Sequence, residues 1–283
     1  MRSKLLARVI GALLLACLAV TATAAPSGRG NKSNSQETVG PDGSLMVWVP
    51  PGTFMMGSDD SNTDKPAHQV QITRGFWIGK CEVTNSQYRR YCQAKGLKLP
   101  VQYGNLEDNA PVDNLPWEAA WLYCQYFRMQ LPTEAQWEYA ARGPDSWLYP
   151  WGDEWDPGRC CHAAKRGPSG TTWPVASFPS GASWCGALDL AGNVQEWCND
   201  EFDRSYYENS PVADPPGPTP KRSSAPVTIP SGMGGMGGNV RDETISHVIR
   251  GGYWRNDYPF FFLCARHAGT FGSSGGFRCV VVP

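Results

Sequence analysis

The chain has 283 residues and a formal net charge of −1. That length holds one large domain or two small ones, and the near-neutral balance gives no electrostatic case for nucleic acid or for an anionic membrane surface. With 31 glycines, 24 prolines and 12 tryptophans, the chain turns often and needs either a core knit by indole hydrogen bonds or an aromatic-lined pocket.

The first segment, MRSKLLARVIGALLLACLAVTATAAP, sets Arg2, Lys4 and Arg8 ahead of an apolar run from Val9 to Val20, with small residues at Ala24 and Ala25. This is the pattern of a secretory signal peptide over residues 1–24, too short and too soon followed by polar sequence to span a bilayer. The expected compartment is the periplasm. Cys17, in LLAC, also fits a lipoprotein processing site, so lipid anchoring is the alternative. Of the ten cysteines, nine remain once Cys17 leaves with the leader. An oxidising compartment favours disulfides, and an odd count leaves at least one thiol free or bonded to another molecule. His68, His162, His247 and His267 lack ligand spacing, which argues against zinc.

Residues 25–42 are polar and are expected to form a flexible lead-in, with the domain spanning 43–283. A Pro-Pro-Gly turn divides two strand-like runs in LMVWVPPGTFMMGS, and HQVQITRGFWIGKCEVT alternates like a half-buried strand pair. Three helices follow. TNSQYRRYCQAKG has Thr84 and Gln87 in capping-box spacing and Gly96 at its end; PWEAAWLYCQYFRMQ begins at Pro116; PTEAQWEYAARG repeats the capping box with Thr133 and Gln136 and stops at Gly143. From Trp147 onward, turns, short strands and aromatic anchors replace periodicity. Residues 215–247, rich in Pro, Ser and Gly, form a loop insertion. It is either a plain surface loop or a flap over a pocket, since it leads directly into RGGYW.

Nine blocks occur in order: VPPGTFMMGS, KPAHQVQI, CEVTNSQYRRYC, PVDNLPWEAAWLYC, LPTEAQWEYAARG, YPWGDEWD, GALDLAGNVQEWCND, VIRGGYW and GGFRC. Together they resemble the formylglycine-generating-enzyme, or sulfatase-modifying-factor, superfamily over about residues 43–283. The resemblance implies an α+β fold, a single irregular domain related to the C-type lectin fold with little regular secondary structure. Catalytic members use two cysteines shortly after RGG to bind copper and oxidise a substrate cysteine to formylglycine. The matching positions here are Asn256 and Phe261, and neither can supply a thiolate. No copper is therefore expected, and formylglycine synthesis on a sulfatase is the least favoured reading. Cys264 matches a structural disulfide position whose usual partner falls on Ala141.

The resemblance also implies a disulfide between Cys124 and Cys279, tying a helix to the C-terminal strand. It implies a structural calcium in DLAGNVQEW, with carboxylate oxygens from Asp189 and Glu196 and carbonyls from Gly192 and Val194. A tight Gly-Asn turn suits a cation that takes hard oxygen ligands; a plain turn with a salt-bridged Glu196 is the alternative. A second calcium site of the family would need an acid in AAKRGPSGTTWP, which has none, so that site is expected to be lost.

The stretch RGGYWRNDYPFFFLCARH marks the altered site. Asp257 is the candidate proton acceptor, with Tyr258 and His267 as further catalytic candidates, a histidine being a base that titrates near neutral pH. Trp254, Arg255 and Asn256 are candidate contacts for a flat aromatic ligand. Arg250 and Arg266 are expected to be structural, and Phe260, Phe261 and Phe262 to form core and wall. A stand-alone, signal-bearing member that lacks both cysteines is similar to the pyoverdine-maturation branch of the superfamily. That likeness implies oxidation of dihydropyoverdine, a small peptide siderophore precursor, to its mature chromophore, with other pyoverdine-maturation proteins as partners. The alternative is a non-catalytic ligand-binding module of the same fold.

Overall fold

Short apolar runs with every second side chain inward build the strands of this protein. A computed structural model describes residues 36–60, 64–218, 246–257, 267–269 and 275–283. A four-stranded sheet has the order β1 (Glu37–Val39), β2 (Leu45–Val49), β5 (Phe76–Gly79) and β9 (Val280–Val281), with every described neighbour antiparallel. β3 (Gly52–Met56) pairs with β4 (His68–Ile72) in a second, two-stranded sheet. The third sheet is β6 (Glu196–Glu201), β7 (His247–Arg250) and β8 (His267–Gly269). Residues 1–24, the segment expected to be a signal peptide, lie outside the described residues. Among the described residues no helix is long and apolar enough to cross a membrane.

The three helices form where local hydrogen bonds dictate. In α1 (Asn85–Lys95) the Gln87 amide donates to the Thr84 hydroxyl oxygen while the Thr84 amide donates to the Gln87 carboxamide, and Gly96 closes the helix with φ 67°. α3 (Glu134–Arg142) repeats the box with Thr133 and Gln136. α2 (Trp117–Tyr126) follows Pro116, whose missing N–H costs nothing at a helix start. α3 packs on β3, β4 and β6 in a core that includes Val47, Phe76, Trp137 and Tyr139. α1 and α2 share a second core with Phe277, Trp197 and Ile249. The tryptophans knit both. Trp137 donates to Glu196, and Trp117, Trp184 and Trp197 donate to backbone carbonyls.

Three expectations change. Order begins before residue 43, because Glu37–Val39 pairs with β2 and buried Asp42 accepts hydrogen bonds from Ser44 and Tyr123. The described end of the polar lead-in is a strand edge held by its backbone, which composition does not reveal. The strands of HQVQITRGFWIG do not pair with each other. β4 turns to β3 and β5 to β2 and β9, since the short connection at Thr73–Gly75 passes the chain between sheets. The loop insertion of residues 215–247 ends one residue early: His247 opens β7 and stacks on Trp117, ring centroids 3.7 Å apart and 7° between planes. Residues 219–245 of that loop lie outside the described residues.

Candidate functional site

The chain around Asp189 bends sharply. Asp189, Gly192 and Asn193 all have positive φ (59°, 80° and 58°), a conformation costly for the two non-glycines and kept only where surrounding contacts fix it. Asn193 supplies those contacts. Its backbone N–H donates to the Cys161 carbonyl and its carbonyl accepts from Trp254; its side-chain oxygen accepts the Trp173 N–H at 3.0 Å. The Gly192 amide donates to the Gly251 carbonyl at 2.7 Å. One loop thus ties RGGYW to the 161–173 segment.

Arg278 anchors the same loop from below. It is fully buried and grips Glu196 through two hydrogen bonds, Nε to Oε2 at 2.6 Å and a terminal nitrogen to Oε1 at 2.7 Å. It also donates to the carbonyls of Gly79, Lys80 and Leu188. Glu196 is therefore committed to an ion pair, and Trp137 adds a third donor. Asp189 accepts the Ala176 N–H at 2.7 Å. Glu82, absent from the sequence reading, is buried beside them with Oε1 lacking any partner. Burial, then the charges of Asp189 and Glu196, push the Glu82 carboxyl well up, and burial pushes Asp189 up to about 6.

Three carboxylates against one guanidinium leave this pocket of the fold short of positive charge. Arg278 holds Glu196, while Asp189 and the orphaned oxygen of Glu82 lie outside that ion pair. Among the described residues no group of three or more acidic, histidine or cysteine side chains is arranged to hold a metal ion.

The altered segment itself is a tight turn. Asn256 spends its side chain here: its carboxamide oxygen accepts the Tyr253 N–H at 2.7 Å, and its carbonyl accepts the Ala163 N–H at 2.9 Å. That turn engages the oxygen of the carboxamide that the sequence reading assigns to substrate contact. Trp254 is buried with Cys161 and Phe178, its indole carrying the guanidinium of Arg255 at 4.5 Å and that of Arg166 at 5.4 Å. Arg255 and Asp257 are exposed. Tyr258, Phe261, Cys264 and Arg266 lie outside the described residues. His267 is placed as a backbone position, opposite Ile249 in β8. Arg250 is structural as expected, locked between Glu134 and Glu138.

Seven of the described cysteines sit where burial disfavours a thiolate. Burial pushes the thiols of Cys81, Cys160, Cys185, Cys198 and Cys279 up, Cys92 to about 11 and Cys161 to about 12. Cys124 and Cys279 meet in the core with their sulfurs 3.4 Å apart.

Residues 31–282 match the sulfatase-modifying factor enzyme 1-like domain. The chain belongs to that family. Among its relatives, a formylglycine-generating enzyme of Streptomyces coelicolor is 43% identical over 61% of this chain and 74% of its own. Serine/threonine-protein kinase Pkn1 of Chlamydia trachomatis is 31% identical over 83% of this chain, which spans only 38% of that protein. The structure of PvdO from Pseudomonas aeruginosa shares the fold with a TM-score of 0.69 at 22% identity, over 88% of this chain and 98% of that one. The α+β, single-domain architecture with little regular secondary structure is thus the sulfatase-modifying factor fold.

Against that family frame, the residues missed in the sequence are those whose roles are tertiary. Asp113 is the clearest. It is buried, accepts the Tyr103 N–H at 2.9 Å and lies within electrostatic reach of Arg255. Burial pushes its carboxyl up to about 6, against the pull of the Tyr103 and Gly104 amides and Arg255. Folding therefore favours the protonated form. The stability this gives is complete below the ordinary carboxyl range, about pH 4, and is lost as pH rises through about 6. Asp113→Asn keeps an oxygen for the Tyr103 amide. Its melting temperature relative to the parent should rise between about pH 4.5 and about pH 7, on the order of 2 kcal/mol at most. A difference that stays constant over that range contradicts the assignment.

Proposed function

We propose that this protein finishes a peptide siderophore in the periplasm, oxidising dihydropyoverdine to its mature chromophore without a copper dithiolate. The observation that carries the reading is at Asn256, where the family's copper chemistry calls for a cysteine. A carboxamide stands there, and its oxygen closes a turn. The fold shared with PvdO over nearly all of that chain supports the choice of branch. Arg255, exposed and carried on the buried indole of Trp254, gives the site a cationic wall for a flat catechol-like ring. Asp257, exposed two residues on, is the proposed proton acceptor, with Tyr258 and His267 retained as candidates. Two hydrogens leave the substrate; dioxygen, as acceptor of both electrons and both protons, becomes hydrogen peroxide. Other pyoverdine-maturation proteins are the proposed partners.

Purified protein mixed with dihydropyoverdine in air should form the chromophore faster than buffer alone, with peroxide released in equal amount. A rate equal to that of air sinks the enzyme reading. The exposure of Asp257 favours one alternative, a module that binds the precursor without turnover. That alternative predicts saturable binding at the uncatalysed rate.

The same reading includes a structural calcium on Asp189, Glu82 and the carbonyls of Gly192 and Val194; bound, it would neutralise the acid cluster. Calcium at about a hundred times its dissociation constant should raise the melting temperature by about 5 °C or more. Glu82→Gln should remove that response, because it deletes the unpartnered carboxylate charge. An unchanged calcium response in Glu82→Gln contradicts the donor set.

A further inference from the structure

Some surface cations of this chain find an acid. Lys80 pairs with Glu37, Arg89 with Asp108 and Arg159 with Asp156, as a chain with 25 basic and 26 acidic residues allows. Arg166 and Arg255 depart from that pattern. Both are exposed, and among the described residues neither makes an ion pair. Each instead lies on the indole of Trp254, with its guanidinium carbon 5.4 Å and 4.5 Å from the ring centroid. The two groups therefore lie no further apart than those two distances together allow. Stacking on an aromatic fixes a guanidinium plane while leaving its N–H fork open for an oxyanion.

The surroundings add to the charge and to the shape. Lys165 sits over Phe178 at 5.0 Å, in the same aromatic cluster, and donates to the Gly158 carbonyl. The nearby acid, Asp113, is buried and accepts the Tyr103 amide, which leaves Arg255 without a direct partner. Through that bond Asp113 also holds the loop that exposes Val101, Tyr103 and Leu106. Two guanidinium groups carried on one indole suit a ligand with an anionic group on a flat ring.

We infer that Arg166 and Arg255, seated together on Trp254, form a recognition subsite for a ring-borne oxyanion such as an aromatic carboxylate or an ionised catechol. The inference deepens the siderophore reading and rests on it for the identity of the natural ligand, but the subsite itself stands on the geometry. Trp254 is the rigid backing rather than the contact surface, since it is buried. The same segment, AAKRGPSGTTWP, carries Lys165 and Arg166 and no acid.

The probe is 3,4-dihydroxybenzoate, titrated into the full-length protein by calorimetry. Wild type should bind it saturably, and the affinity should fall as salt is raised because both arginines are exposed. Arg166→Gln and Arg255→Gln should each weaken binding about tenfold, and the double variant by more. Melting temperatures should stay unchanged, because neither side chain is part of the core. Absence of saturable binding to wild type overturns the inference, as does an undiminished affinity in a folded double variant. The two proposals fail separately. Probe binding through the arginines without siderophore oxidation leaves the subsite and sinks the activity. Equal siderophore turnover in the double variant leaves the activity and sinks the subsite.

Discussion

Arg250→Met is expected to cost 3–5 kcal/mol of folding stability, the range found when one partner of a buried ion pair is removed, or a drop of about 10 °C in melting temperature. Arg250 is wholly buried and pairs with Glu134 at 3.0 Å and with Glu138 at 2.5 Å. Both acids are buried too, so neither can turn to water when the guanidinium goes. Glu138 keeps Arg142 and the Gly57 amide, while Glu134 keeps the Tyr207 hydroxyl. Although burial alone would raise the Glu138 carboxyl, Arg250 and Arg142 hold it below its ordinary value. Removing Arg250 should therefore let Glu138 take up a proton at higher pH than before, and the variant should recover part of its loss on mild acidification. Arg250→Met combined with Glu134→Gln should recover more, because one of the two buried negative charges is removed with the guanidinium. Thermal melts across pH check both. A loss under about 1 kcal/mol would show the network to be dispensable.

The second large effect concerns the pair at the end of α2. The sulfurs of Cys124 and Cys279 are 3.4 Å apart in the core, on residues separated by 155 positions in sequence. A small side-chain rotation brings them to bonding distance, about 2.05 Å. A cross-link over a loop of that length contributes roughly 4–5 kcal/mol in the chain-entropy model. Protein made in an oxidising compartment should yield a linked peptide joining the two residues, and reductant should lower the melting temperature by about 10 °C or more. Cys279→Ala should show the lower value with or without reductant. Alkylation of both sulfurs in unreduced, denatured protein would show that the pair stays as thiols.

Legibility followed range. The capping boxes at Thr84 and Thr133 were readable because each is made by residues three apart, and the structure has both. Strand partners were not, because strands of three to five residues carry no record of which neighbour they meet: β4 and β5 are adjacent in sequence yet belong to different sheets. The nine blocks located the site, but its working contacts depend on distant residues. Asn193 looks like an ordinary turn residue until its side chain meets Trp173 and, at 3.4 Å, Glu82. Glu82 stands just after an apolar strand, and a charge in that place was the one local hint that something buried needed it. Arg278, in GFRC, reads as a surface arginine of a C-terminal tail; its grip on Glu196 spans 82 residues.

The measurement that bears most directly on the account is dihydropyoverdine oxidation by protein stripped of copper and kept in a copper chelator, beside a sulfatase-derived cysteine peptide under the same conditions. The account predicts chromophore formation above the rate of air, unaffected by the chelator, and no aldehyde on the peptide. Activity that returns only with added copper, or formylglycine on the peptide, would contradict it.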